Sequence, residues 1–299
     1  MVAFEPHHLE LVERKEVVRA GVDLDARQEE ITRRLLATVR TNAIPAIGFV
    51  NEDKLEDTNG RVDPRRVALL RAWLDAGLDL GNHTRSHSDL HKVPVAEYEA
   101  DILAGEVVTS RLMAAHGRHP RWFRHPYLDT GTSLETRREV EDFLSAHGYR
   151  VAPITVDDSE WIIAHAWNKA VAAHDRRMQR RLSRDYVRYL DARFAWYEKK
   201  SDEIFGRQIP QILLLHAEAL NAAAFGKVVA MLRSRGYRFI TLDEAMKDPA
   251  YGSKDDWVAD GGVSWLVRWG VTRGLPEAMF DGDPRLPEYI TKYADYKEE

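Results

Sequence analysis

The segment Gly81-Asn82-His83-Thr84-Arg85-Ser86-His87 sets two imidazoles four residues apart among small polar neighbours. If the segment turns as a helix, both rings reach one point, and zinc and its neighbours bind imidazole nitrogen well. A catalytic centre of this kind needs about three protein ligands and an open position. His83 and His87 are therefore read as two ligands of a hydrolytic divalent-metal site, the plainer alternative being two surface histidines in a polar loop. With no cysteine in the chain, any metal rests on His and carboxylate. Disulfides, thiolate zinc sites and a cysteine nucleophile are excluded for the same reason.

Other groups with chemistry follow segments that read as strands. They are Phe123-Arg124-His125-Pro126-Tyr127, Val156-Asp157-Asp158-Ser159-Glu160-Trp161 and Leu213-Leu214-Leu215-His216. Apolar spacing predicts strands over 44–50, 78–83, 122–124, 149–156, 211–216 and 237–241. Helical patterns lie between them, over 31–39, 95–115, 135–147 and through Val228 to Leu232. A further helix opens at the cap-like Asp63-Pro64 and closes at Gly77. Near-continuous apolar strands alternating with helices predict a parallel sheet wrapped by helices, either a barrel or an open doubly wound sheet. His83, Arg124, Asp157 and His216 then share the carboxyl ends of strands, where such folds keep active sites.

A charged helical insertion is expected over about 164–205. Its run Asp175-Arg176-Arg177-Met178-Gln179-Arg180-Arg181-Leu182 invites an anion-binding reading, yet interleaved acids favour a solvated helix face. Beyond Lys247 the composition changes, with Gly261-Gly262, several Trp and a charged end. The expected organisation is thus a barrel over 1–246 and a C-terminal appendage over 247–299 that packs on it.

The 299 residues are 44% hydrophobic and 30% charged, enough for one full-sized core. A net charge of -5 leaves no electrostatic footprint for nucleic acid. No apolar run approaches the roughly 20 residues that span a bilayer, and the N-terminus lacks a signal-peptide pattern, so the expectation is a cytoplasmic protein off the membrane. The oligomeric state is not readable from the sequence.

Taken in order, these motifs resemble the polysaccharide deacetylases of the NodB-homology group, carbohydrate esterase family 4. That family shows His-[Ser/Thr]-x-x-His, Arg-x-Pro-[Tyr/Phe], Asp-x-x-Asp-Trp and Leu-x-Leu-x-His, and the similarity spans about 31–245. The resemblance implies an α/β fold, a distorted (β/α)7-type barrel. It also implies metal-dependent hydrolysis of an N-acetyl group or another amide on a small-molecule or oligosaccharide substrate. By the same resemblance His83 and His87 hold the metal, most simply Zn2+, and Arg124 orients the catalytic base. Pro126 and Tyr127 form one wall of the groove. Asp157 and Trp161 form another part of the site, with Glu160 replacing the usual second Asp. Leu214 lines the acetyl pocket, and His216 is the general acid that protonates the leaving amine. The chemistry is consistent: a metal polarises the carbonyl, a base takes a proton from water, and an imidazolium protonates a poor leaving group. Asp157 or Asp158 is expected beside His216, favouring its charged form.

The family's first motif, Thr-Phe-Asp-Asp at a strand end, is missing. In one placement Val2-Ala3-Phe4-Glu5-Pro6-His7-His8-Leu9 is the first strand, giving a three-histidine site of His8, His83 and His87, with His7 or a distant carboxylate as base. In the other the strand is Val17-Val18-Arg19-Ala20-Gly21-Val22-Asp23-Leu24-Asp25, with Asp25 as ligand and Arg19 an awkward charge in a central strand. The first has the cleaner apolar run; a third possibility is that the N-terminal region was lost or replaced, making His7, His8, Asp23 and Asp25 all incidental. The leading reading is a hydrolase removing an acyl group from an amino sugar or cleaving a related amide. Its rivals are a non-catalytic barrel that has lost the aspartate base, and a protein altered at its N-terminus whose three-histidine site serves other hydrolytic chemistry.

Overall fold

A computed structural model of the protein describes residues 2–5 and 24–296. Six parallel strands form one sheet in the order β5-β4-β3-β2-β1-β6. They are β1 (Val2–Glu5), β2 (Ala46–Val50), β3 (Asp79–Asn82), β4 (Trp122–Phe123), β5 (Arg150–Val151) and β6 (Leu213–His216). Parallel pairing buries both faces, which is why β2 and β6 are apolar without alternation.

β1 lies between β2 and β6, with Val2 opposite both Ala46 and Leu213. The first of the two placements of the opening strand is therefore the observed one. The second fails, because Leu24–Thr41 is a helix, α1, and Asp25 sits in its first turn. There its carboxylate suits the helix dipole and meets Arg66 Nε at 2.9 Å. The candidates His7 and His8 lie outside the described residues.

The segment 150–156, expected as one strand, serves both edges of the sheet. Its start pairs with β4, and Ala152 N–H donates to Phe123 O at 2.8 Å. Its end bridges β6: Val156 N–H donates to Ile212 O at 3.0 Å, and Leu214 N–H to Val156 O at 3.2 Å. One stretch of chain thus joins the two edges, consistent with a distorted barrel. The strand expected over 237–241 is not formed. β6 already has β1 on one side and Val156 on the other, so no backbone partner remains there for it.

Local chemistry explains the helices. Asp63 caps α2 (Pro64–Asp75) by accepting from Arg65 N, with Pro64 at the first position. The helix expected over 95–115 is two, α3 (Val95–Ala104) and α4 (Val107–Ala115). The break falls at Gly105, where a Cβ would lie 2.5 Å from the Thr84 carbonyl carbon, and buried Glu52 accepts from Val108 N and Thr109 N to start the second helix. α5 (Leu134–Ala146) follows, capped by Ser133.

The insertion is likewise two helices, α6 (Glu160–Ala172) and α7 (Arg176–Phe205), split where His174 turns left-handed and Asp175 caps Met178 N. α7 buries Leu182, Tyr186, Tyr189, Leu190, Phe194 and Tyr197, a stripe at helical spacing. Its Arg176, Arg177, Arg180 and Arg181 are exposed, and Asp185 gathers Arg181, Arg184 and Arg188, as a solvated face requires. α8 (Ala219–Ser234) closes the helical ring. Beyond 247 the chain packs back on the closing segment: Trp265 N–H donates to Ile154 O at 2.7 Å, and fully buried Arg268 to Thr130 Oγ1 at 2.8 Å. No described helix is long and apolar enough to cross a membrane.

Candidate active site

At the end of β3 the Asn82 side chain fixes the turn: its Nδ2 donates to Ile102 O, and its Oδ1 accepts from Thr84 N–H at 2.8 Å. Thr84 and His87 both adopt left-handed backbone, φ 62 and 61. This irregular turn, rather than a helical one, sets the His83 and His87 rings 4.8 Å apart. His83 is fully buried, with Nδ1 at 2.7 Å from Arg124 O. A carbonyl only accepts, so Nδ1 carries a proton and Nε2 is the nitrogen left for a metal. Metal-binding histidines are commonly oriented in this way. Asn51 holds the His83 carbonyl from the end of β2.

The chain after β4 supplies the next groups. Arg124 is buried, its Nε donating to Ala152 O at 2.7 Å and its guanidinium lying 4.5 Å over the Phe49 ring. His125 is buried beside Tyr98, whose hydroxyl is 3.0 Å from Nδ1. Burial, with the charges of Arg268 and Arg137 adding, holds its imidazole far below the usual pKa, so it stays neutral. Pro126 is buried, whereas Tyr127 is 56% exposed and packs edge-on to His87 at 4.5 Å.

β6 ends at His216, and here the structure redirects the expectation. The carboxylate beside its ring is Glu160, at the start of α6, not Asp157 or Asp158. Glu160 Oε2 lies 3.2 Å from His216 Nδ1, while Oε1 accepts from His216 N at 2.7 Å and Asn221 Nδ2 at 2.8 Å. Burial pushes the Glu160 pKa up, but the His216 ring and these donors outweigh it, and the net displacement is downward. Asp158, two residues away and buried, goes the opposite way. Burial and the neighbouring Glu160 and Asp157 charges raise it well above the usual carboxylate range. The surroundings thus displace two neighbouring carboxyls in opposite directions.

Asp157 follows the bridge at Val156. Its Oδ1 accepts from Asp158 N, and its carbonyl accepts from Arg193. Trp161 is 40% exposed and meets Tyr296 edge-on at 5.1 Å. Leu214 is buried within β6. The structure therefore brings together His83, His87 and Tyr127, with the Arg124 carbonyl on His83. It separately joins His216 to Glu160 at the same end of the sheet. Two adjacent strands, β1 and β2, lie between the groups in sheet order. Glu160 had a sequence signal, its place one residue before Trp161, but only the fold reveals which carboxylate faces His216.

The family model described as polysaccharide deacetylase matches residues 16–152. A peptidoglycan-N-acetylglucosamine deacetylase of Bacillus cereus is 23% identical over 220 residues, covering 71% of this chain and 62% of that protein. Among solved structures, a chitin deacetylase from the fungal pathogen Colletotrichum lindemuthianum superposes with TM-score 0.50 at 20% identity, covering 82% of this chain and 85% of the other. A mutant of a CE4 family pseudoenzyme, one with restored enzymatic activity, superposes with TM-score 0.50 at 16% identity, covering 82% of this chain and 66% of the other. The chain spans less than two thirds of the length of the Bacillus cereus relative and of the pseudoenzyme mutant.

Proposed function

Because the chain belongs to the polysaccharide deacetylase family of the NodB-homology type, we propose that it hydrolyses an N-acyl group on an amino sugar of a glycan, releasing the free amine. The observation that carries this reading is the contact between His216 and buried Glu160, whose pKa is displaced downward. An anionic partner on Nδ1 fixes the tautomer and favours the protonated ring. A departing amine is a poor leaving group without a proton, and in this reading His216 Nε2 donates it.

His83 and His87 would hold a divalent metal, zinc by preference for their donor type, and the Nδ1–H bond of His83 to a main-chain carbonyl suits that role. When bound, the ion supplies Lewis acidity that polarises the acyl carbonyl. The third ligand, for which His8 is the candidate, and a base at His7 belong to this proposal from sequence alone. Arg124, anchored on Ala152 O, would orient the base; Pro126 and Tyr127 would form one wall of the groove, Asp157 and Trp161 another part of the site, and Leu214 would line the acyl end.

The test is amine release from an N-acetylglucosamine oligomer, with zinc measured on the same preparations. His216→Ala is expected to lower kcat/KM by about 10²–10⁴-fold. His83→Ala is expected to remove about one equivalent of metal. An active protein indifferent to His216→Ala refutes the general-acid role. A folded, zinc-binding protein with no turnover favours the non-catalytic barrel, a reading to which the loss of the Asp-Asp motif lends weight.

A further inference from the structure

Among the described residues, three potential metal ligands converge at one place, and it is not the His83–His87 pair. Asp89, His91 and Asp129 offer donor atoms all within 4.8 Å of one another. Asp89 and His91 lie on the loop after β3, and Asp129 on the loop after β4. Asp129 is 4% exposed, and its Oδ1, aimed at His91 Nδ1 across 3.5 Å, has no hydrogen bond. Burial, with Asp89 adding and His91 and Arg268 opposing, pushes Asp129 up to about 7. Lys92 reaches Asp89 at 2.8 Å, but its side chain is 79% exposed and approaches from the surface.

We propose that Asp89, His91 and Asp129 bind a divalent cation at a second site, separate from the one expected at His83 and His87. Two carboxylates and an imidazole leave a double negative charge for a doubly positive ion. One nitrogen and two oxygens suit zinc or manganese, and are too few and too nitrogenous for calcium. Coordination through His91 Nδ1 moves the ring proton to Nε2. It gives up the long bond from Gly131 N at 3.2 Å and the contact with Asp260 O at 3.3 Å. The ion would fasten the two loops that flank Tyr127, which carries Lys92 at 5.8 Å from its ring.

The experiment is equilibrium dialysis of chelator-stripped full-length protein against micromolar Zn2+, repeated with Mn2+. Wild type should take up two equivalents, Asp129→Asn one, His83→Ala one, and the double variant none. Zinc should also raise the melting temperature of His83→Ala and leave the double variant unmoved. Circular dichroism of the metal-free variants reports folding, and Asp89→Asn serves if Asp129→Asn does not fold. Equal uptake by wild type and Asp129→Asn overturns the inference. If His83→Ala loses nothing while Asp129→Asn loses one equivalent, the second site stands and the metal reading at His83 falls.

Discussion

His83 and His216 are both histidines just at or past the carboxyl end of a parallel strand, and they differ in what holds Nδ1. For His83 it is a main-chain carbonyl, that of Arg124 at 2.7 Å; for His216 it is the buried Glu160 carboxylate at 3.2 Å. A carbonyl acceptor fixes a proton on Nδ1 and leaves Nε2 as the nitrogen a metal could take. An anionic acceptor favours a second proton, the form a general acid needs. The same side chain at equivalent places in one sheet is thereby suited to opposite tasks.

The sharpest way to break that comparison is to neutralise the anionic partner. Glu160→Gln keeps the shape and removes the charge, and kcat should fall about 10–100-fold. With the charged ring no longer favoured, the alkaline limb of the pH–rate profile should move to lower pH. An unmoved limb means that Glu160 does not act through His216.

On the other side the partner is main chain, so changing the Arg124 side chain should spare the metal. Arg124→Lys loses the bond to buried Ala152 O, and a stability loss of about 1–3 kcal/mol by denaturant titration is expected. Zinc content should stay that of wild type. Loss of zinc in this variant would show that the side chain, and not the carbonyl, governs His83.

The smallest effect concerns Asp158. Its folded pKa is raised, so the folded state binds more protons than the unfolded one above about pH 4, and stability falls with rising pH through that range. Asp158→Asn removes this penalty. The melting temperature of the variant relative to wild type should therefore climb by a few degrees from pH 4 to pH 7. A constant difference would mean that Asp158 is ionised in the folded protein.

Much of the site was readable because the motifs are contiguous: His83 with His87, Arg124 with Tyr127, and His216 closing an apolar strand. Helix starts were readable where a cap announces itself, as Asp63-Pro64 does. Breaks set by distant groups were not. Gly105 ends a helix because the Thr84 carbonyl lies against it, and Glu52 starts the next from far back in the chain. The expected strand over 237–241 has the right composition, but a strand forms only where a partner has free backbone groups, and β6 has none left.

The sequence by itself determined which candidate residues stand at strand ends, since residue type and apolar period are local properties. Only the tertiary structure decided which acid faces His216, what holds His83, that Asp25 belongs to a helix and that Asp89, His91 and Asp129 meet. Those are distances between segments far apart in the chain. They depend on sheet order and on which residues turn left-handed, and side-chain spacing along the sequence does not encode them.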